Sequence, residues 1–180
     1  SDIFFNIKDL PQGIESVRLF GVSNTITGDI KYLPLSLTYI EIEGSNTISG
    51  NTQSIANHIF ESFAVKGSNT ITGDIRFFPA TIVVDLVIHG SNTVSGSIFN
   101  IRATPSYLSL LGSTLVSGNT RDIPVQTLSM DLIGQNTVKG SVQVFVPSVY
   151  ALQLAGESTT YGDVGKTPAD LIVLVIGGNG

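Results

Sequence analysis

The chain has 180 residues, 42% of them hydrophobic and only 13% charged, with a formal net charge of -5. That balance is too apolar for a disordered chain and predicts a large core. Nine Lys and Arg without a basic cluster argue against a nucleic-acid surface. The lack of cysteine excludes disulfides and cysteine metal sites, and the longest apolar run, 171–176, is strand-sized and far short of a membrane span.

Along the chain one unit recurs. Aligned on a central Asn, it falls at Asn24, Asn46, Asn69 and Asn92, has Thr114 in that place, and continues at Asn136, Ser158 and Asn179, in steps of 21 to 23 residues. A step this constant predicts a solenoid of about eight coils, with 1–180 as a single stack.

Each unit opens on an alternating stretch such as "YIEIEG" (39–44), "SFAVKG" (62–67) or "DLVIHG" (85–90), the pattern of a half-buried strand. Two positions per strand are apolar and predicted to point inward: Val17 and Leu19, Ile40 and Ile42, Phe63 and Val65, Leu86 and Ile88, Leu108 and Leu110, Met130 and Leu132, Leu152 and Leu154, Val173 and Val175. A Gly then allows a tight corner. The motif itself follows, as in "GSNTISG" (44–50) and "GSNTVSG" (90–96). It closes on a second Gly. The return segments "DIKYLP" (29–34), "DIRFFP" (74–79) and "NTRDIP" (119–124) contain Pro, which argues against a regular helix and favours a 3₁₀ turn or an extended segment. Asp29, Asp74 and Asp163 share a column with Asn51 and Asn119 and read as a turn-forming series.

On "LTYIEIEGSNTISGN" (37–51) and "VVDLVIHGSNTVSGSI" (83–98) the unit resembles the leucine-rich repeat, in the variant LxxLxLxxNxLxGxI best known from plants; "GDI" and "LP" are similar to that variant's GxIPxxL. Two features depart from the pattern. The Asn comes one residue later, and the strand positions favour Ile, Val and Phe over Leu. The expected fold is a β-rich, leucine-rich-repeat-like stack with a parallel β-sheet, with a right-handed parallel β-helix as the alternative. The resemblance implies a scaffold that binds proteins or glycans and rarely catalyses.

The Asn column (Asn24, Asn46, Asn69, Asn92, Asn136) is predicted to form a buried structural ladder that satisfies backbone groups of adjacent coils. The hydroxyls beside the buried Ile or Val, from Thr25 and Thr27 to Thr93 and Ser95, are expected to face outward in two parallel rows, broken at Leu115, Lys139 and Tyr161. Such rows make ice binding an alternative. The outward strand face is the candidate partner surface: Tyr39, Glu41, Glu43, Lys66 and His89 in the first half, then Tyr107, Leu111, Ile133, Tyr150 and Ile176. An apolar second half points to burial against a protein or glycan ligand or another subunit. Two distant histidines, no thiol and no recognisable catalytic motif predict a non-enzyme without cofactor or metal. Neither end carries a polar cap, so the chain is expected to belong to a longer protein or an end-to-end assembly. The expected setting is extracellular, at a cell surface or in a virion.

Overall fold

The computed structural model describes residues 3–21, 25–119, 122–141, 149–156, 159–161 and 173–178. Among them the chain forms a parallel-stranded, leucine-rich-repeat-like solenoid without an α-helix. The strands are β1 (Phe4–Asn6), β2 (Ser16–Leu19), β3 (Thr25–Asp29), β4 (Tyr39–Glu43), β5 (Thr47–Asn51), β6 (Ser62–Asp74), β7 (Asp85–Ser97), β8 (Tyr107–Asn119), β9 (Ser129–Ser141), β10 (Ala151–Gly156), β11 (Thr159–Tyr161) and β12 (Val173–Gly178). Strands β6 to β9 are 13 residues long and bend through the corner, so each serves two limbs of one sheet.

The front limb runs β2, β4, β6, β7, β8, β9, β10, β12. Its register repeats the sequence unit: Val17 pairs with Ile40, Ile40 with Phe63, Phe63 with Leu86, Leu86 with Leu108, Leu108 with Met130 and Met130 with Leu152. Equivalent side chains therefore stack about 4.8 Å apart on one face. The core fills from this limb, from the buried Ile or Val of each motif (Ile26, Ile48, Ile71, Val94, Val116) and from the return segments (Ile30, Ile55, Ile75, Ile98).

The return segments are 3₁₀ turns at Ile7–Asp9, Ile30–Tyr32, Thr52–Ile55, Ile75–Phe77 and Ile98–Asn100. Asn6, Asp29, Asn51 and Asp74 cap four of them, each side-chain oxygen accepting a bond from the backbone N–H two residues on. That local bond explains why Asn and Asp interchange in this column. Asp163 lies outside the described residues, as does the side chain of Asn119.

The corner limb runs β1, β3, β5, then the second halves of β6 to β9, then β11. Its register advances differently. Thr27 faces Thr47, Ser49 faces Thr70, and Thr72 faces Thr93, two residues short of the sequence repeat. The slip occurs at the corner, between Lys66 and Asn69, His89 and Asn92, and Leu111 and Thr114. Two parallel rows of equivalent hydroxyls were the expectation from stacking alone. The slip makes the rows oblique, because each coil is displaced along its strand by two residues, roughly 6.6 Å.

One strand is phased differently from expectation. Val173 and Val175 are 46% and 47% exposed and align with Ala151 and Gln153, while Leu174 and Ile176 align with the core residues Leu152 and Leu154. The run 171–176 is apolar at every position, so alternation carries no phase there. The 22-residue step does carry it. Leu19 is only partly buried, at the edge of the core.

Candidate functional site: the strand face

The outward side of the front limb carries three columns. The entrance column contains Ser16, Tyr39, Ser62, Tyr107, Ser129, Ala151 and Val173, and Asp85 belongs to it as the register partner of Tyr107. The central column is Arg18, Glu41, Ala64, Val87, Ser109, Asp131, Gln153 and Val175. The exit column is Glu43, Lys66, His89, Leu111, Ile133 and Ala155. Tyr39, Glu41, Glu43, Lys66, His89, Tyr107, Leu111 and Ile133 therefore share the face. Two candidates do not. Ile176 sits in register with a core column, and Tyr150 precedes β10, leaving Ala151 in the Tyr107 column. Tyr150 instead belongs to a rim at the strand entrances, where its N–H donates to Leu128 O and that of Leu128 to Ser106 O.

In the first coils the face is charged and internally paired. The Arg18 guanidinium lies 4.0 Å over the Tyr39 ring, and Lys66 Nζ is 3.5 Å from Glu43 Oε2. Both pairs are exposed enough to contribute little stability. In the middle, polar contacts bridge three strands. His89 Nε2 meets Ser109 Oγ at 2.8 Å, and Tyr107 Oη donates to Asp131 Oδ2 at 2.8 Å. Ser109 is fully buried, although it points to the outward side. Burial holds the His89 imidazole below its ordinary value, and the Lys66 ammonium adds to that, while Asp131 and Glu43 pull the other way. Burial raises the Tyr107 phenol, with the hydrogen bond to Ser109 opposing and Asp131 reinforcing. Ser109 and Asp131 escaped the sequence reading. Their 22-residue spacing on the central column was the available signal.

The second half is less uniformly apolar than its sequence suggested. Leu111, Ile133 and Ala155 form an apolar exit column, but Ser109, Asp131 and Gln153 keep the centre polar. Beside this face, exposed apolar side chains at the rim and on the last strand are Val84 (39%), Leu128 (42%), Tyr150 (43%), Val173 and Val175, while Phe99, Leu115 and Val125 are exposed away from it. In the early coils the corresponding rim residues are Glu15, Thr38 and Glu61.

The Asn column lies behind this face, at the corner. Asn46, Asn69 and Asn92 are fully buried. Each Nδ2 donates to a carbonyl of the next coil, at Lys66, His89 and Leu111 respectively. Asn69 Oδ1 accepts from Ile48 N, and Asn92 Oδ1 from Ile71 N. Asn46 Oδ1 is buried with no partner among the described residues. Asn24 lies outside the described residues, as does the Asn136 side chain. On the corner limb, Ser49, Thr72 and Ser95 direct their hydroxyls to the carbonyls of Gly28, Gly50 and Gly73 at 3.4 to 3.5 Å. Thr47, Thr70 and Thr93 are exposed. No group of three His, Cys, Asp or Glu able to hold a metal occurs among the described residues. His58 is buried, 3.1 Å from Leu33 O and stacked on Phe60, a core contact away from the face.

Neither a family model nor a curated protein matches this sequence. Solved structures do match in shape. A plant ice-binding protein superposes with a TM-score of 0.63 at 18% identity over 99% of this chain and 64% of its own. The plant peptide hormone receptor RGFR1, in complex with RGF2, superposes with a TM-score of 0.56 at 17% identity over 90% of this chain and 32% of its own. The chain thus spans less than two thirds of either protein. At these identities the likeness is one of fold: a repeat solenoid whose neighbours are a binding receptor and an ice-binding protein.

Proposed function

We propose that the chain is a non-catalytic interaction module that binds a protein or glycan through the outward strand face, in an extracellular, cell-surface or virion setting. The observation that carries this reading is the exposure of Val84, Leu128, Tyr150, Val173 and Val175 beside the strand face of a rigid stack. Apolar side chains grouped in this way mark a surface that gains by being covered. The receptor of similar fold, solved with a bound peptide hormone, supports the class. The test is to probe glycan and peptide arrays with labelled chain and with the double variant Leu128→Asp, Val175→Asp. The variant keeps its circular dichroism and loses the array ligands. Equal binding by both would sink the reading.

Ice binding is the second reading, favoured by the exposed Thr47, Thr70 and Thr93 and by the fold of the ice-binding neighbour. It predicts thermal hysteresis that falls when these three become Ala. A millimolar solution without ice shaping removes it.

A further inference from the structure

The charge of this molecule is segregated. Among the described residues, Glu15, Glu41, Glu43, Glu61, Asp85 and Asp131 lie on the strand face or its rim, against Arg18 and Lys66. Among the described residues, six carboxylates against two cations give that side a net charge of -4. On the opposite side, two cations of the 3₁₀ turns are matched locally, Lys31 with Asp29 and Arg76 with Asp74. The face is also graded along the stack. Five of the six carboxylates belong to the first four coils, up to β7, whereas the exposed Leu128, Tyr150, Val173 and Val175 belong to the later ones.

We infer that the occupant of this face is a polypeptide segment with Lys or Arg at one end and aliphatic or aromatic residues at the other, lying along the stack with its basic end over the first coils. The inference rests on the reading of the strand face as a partner surface and adds the chemistry and polarity of the partner. Lysine or arginine over Glu41, Glu61 and Asp85 meets carboxylates that have no ion-pair partner among the described residues. The apolar end covers side chains that water now solvates, and the polar central column lets peptide groups bond at Asp131 and Gln153. Eight coils at about 4.8 Å span roughly 34 Å, the length of about ten extended residues. Opposite charge across such an interface chiefly speeds association and sets register, so binding must be salt-sensitive.

The probe is a fluorescein-labelled synthetic peptide with four lysines followed by a Gly-Ser pair and Leu-Val-Leu-Phe, read by anisotropy against the intact chain. The expected result is saturable binding that weakens at least tenfold from 50 to 300 mM salt. Binding should also weaken at least tenfold in the triple variant Glu41→Gln, Glu61→Gln, Asp85→Asn. A peptide with four glutamates in place of the lysines should not bind. A photo-crosslinker at the lysine end should mark β4 to β7 and one at the Phe end β9 to β12. Absence of binding at 50 mM salt, equal binding of the glutamate peptide, or crosslinks on the 3₁₀ side overturn the inference. Salt-insensitive array ligands lost only in the Leu128→Asp, Val175→Asp variant would leave the interaction surface standing and remove the basic partner.

Discussion

The front limb and the corner limb are built from the same repeat but propagate it differently. Along the front limb, residues 22 or 23 apart in sequence pair directly, so each column inherits whatever the sequence places at one position of the unit. Along the corner limb, pairing steps by 20 or 21 residues, and the most repetitive string in the chain becomes the less regular surface. The cause is the corner. Two residues there, such as Gly67 and Ser68, have no register partner on the next strand, and the Asn side chain takes over the bonding. Sequence identity between units therefore reports a conformational requirement, while variation on the in-register limb is free to specify a ligand.

That comparison breaks most readily at the corner. Gly90 has φ +145, and a Cβ there would sit 2.6 Å from Asn69 N and 2.7 Å from Asn69 O. Both neighbours are backbone and cannot step aside. Gly90→Ala should cost about 3 kcal/mol or more, from backbone strain and overpacking together, and lower the thermal midpoint accordingly. Gly13 has nothing within 4 Å of the same position, so Gly13→Ala should leave the midpoint unchanged or slightly raised. Equal effects at the two sites would mean that the corner is not the constrained element.

A second experiment grades the ladder. Asn69→Ala strips partners from a buried backbone group, Ile48 N–H, and a part-buried one, His89 C=O, and should cost about 2 to 4 kcal/mol in urea denaturation. Among the described residues, Asn46→Ala removes one bond, to Lys66 O, and relieves a buried oxygen that has no partner there, so its cost should be clearly smaller. If the two cost the same, the ladder is not ordered as described.

The smallest effect belongs to the face itself. The His89 imidazole titrates below its unfolded value, so the unfolded chain binds more protons in the interval between the two. Stability should fall as pH drops through the unfolded value near 6.5 and stop falling below the folded value. His89→Gln should flatten that part of a midpoint-against-pH curve. An unchanged slope would remove His89 from the account.

The architecture was legible because the step, the alternation and the Gly positions all agree with one coil. Asn46, Asn69 and Asn92 were legible as buried hydrogen-bonding residues from their column alone. Val173, Val175 and Ile176 were misplaced because an unbroken apolar run has no phase, and only counting from Leu152 and Leu154 restores it. The oblique hydroxyl rows were not legible, since spacing along a chain does not reveal how many residues a corner leaves unpaired. The His89, Ser109, Tyr107 and Asp131 contacts bring together residues of three coils, a proximity visible only once the register is fixed.

Asn69 belongs to the third coil, accepts from Ile48 of the second and donates to His89 of the fourth. Asn92 repeats the arrangement one coil further on. Each of these two side chains ties its own turn to the one before and the one after. Unwinding the third turn frees a backbone group on each neighbour, Ile48 N–H and His89 C=O. Stretched between its ends, a rod held in this way yields in a few large ruptures, not in a sequence of single-turn steps.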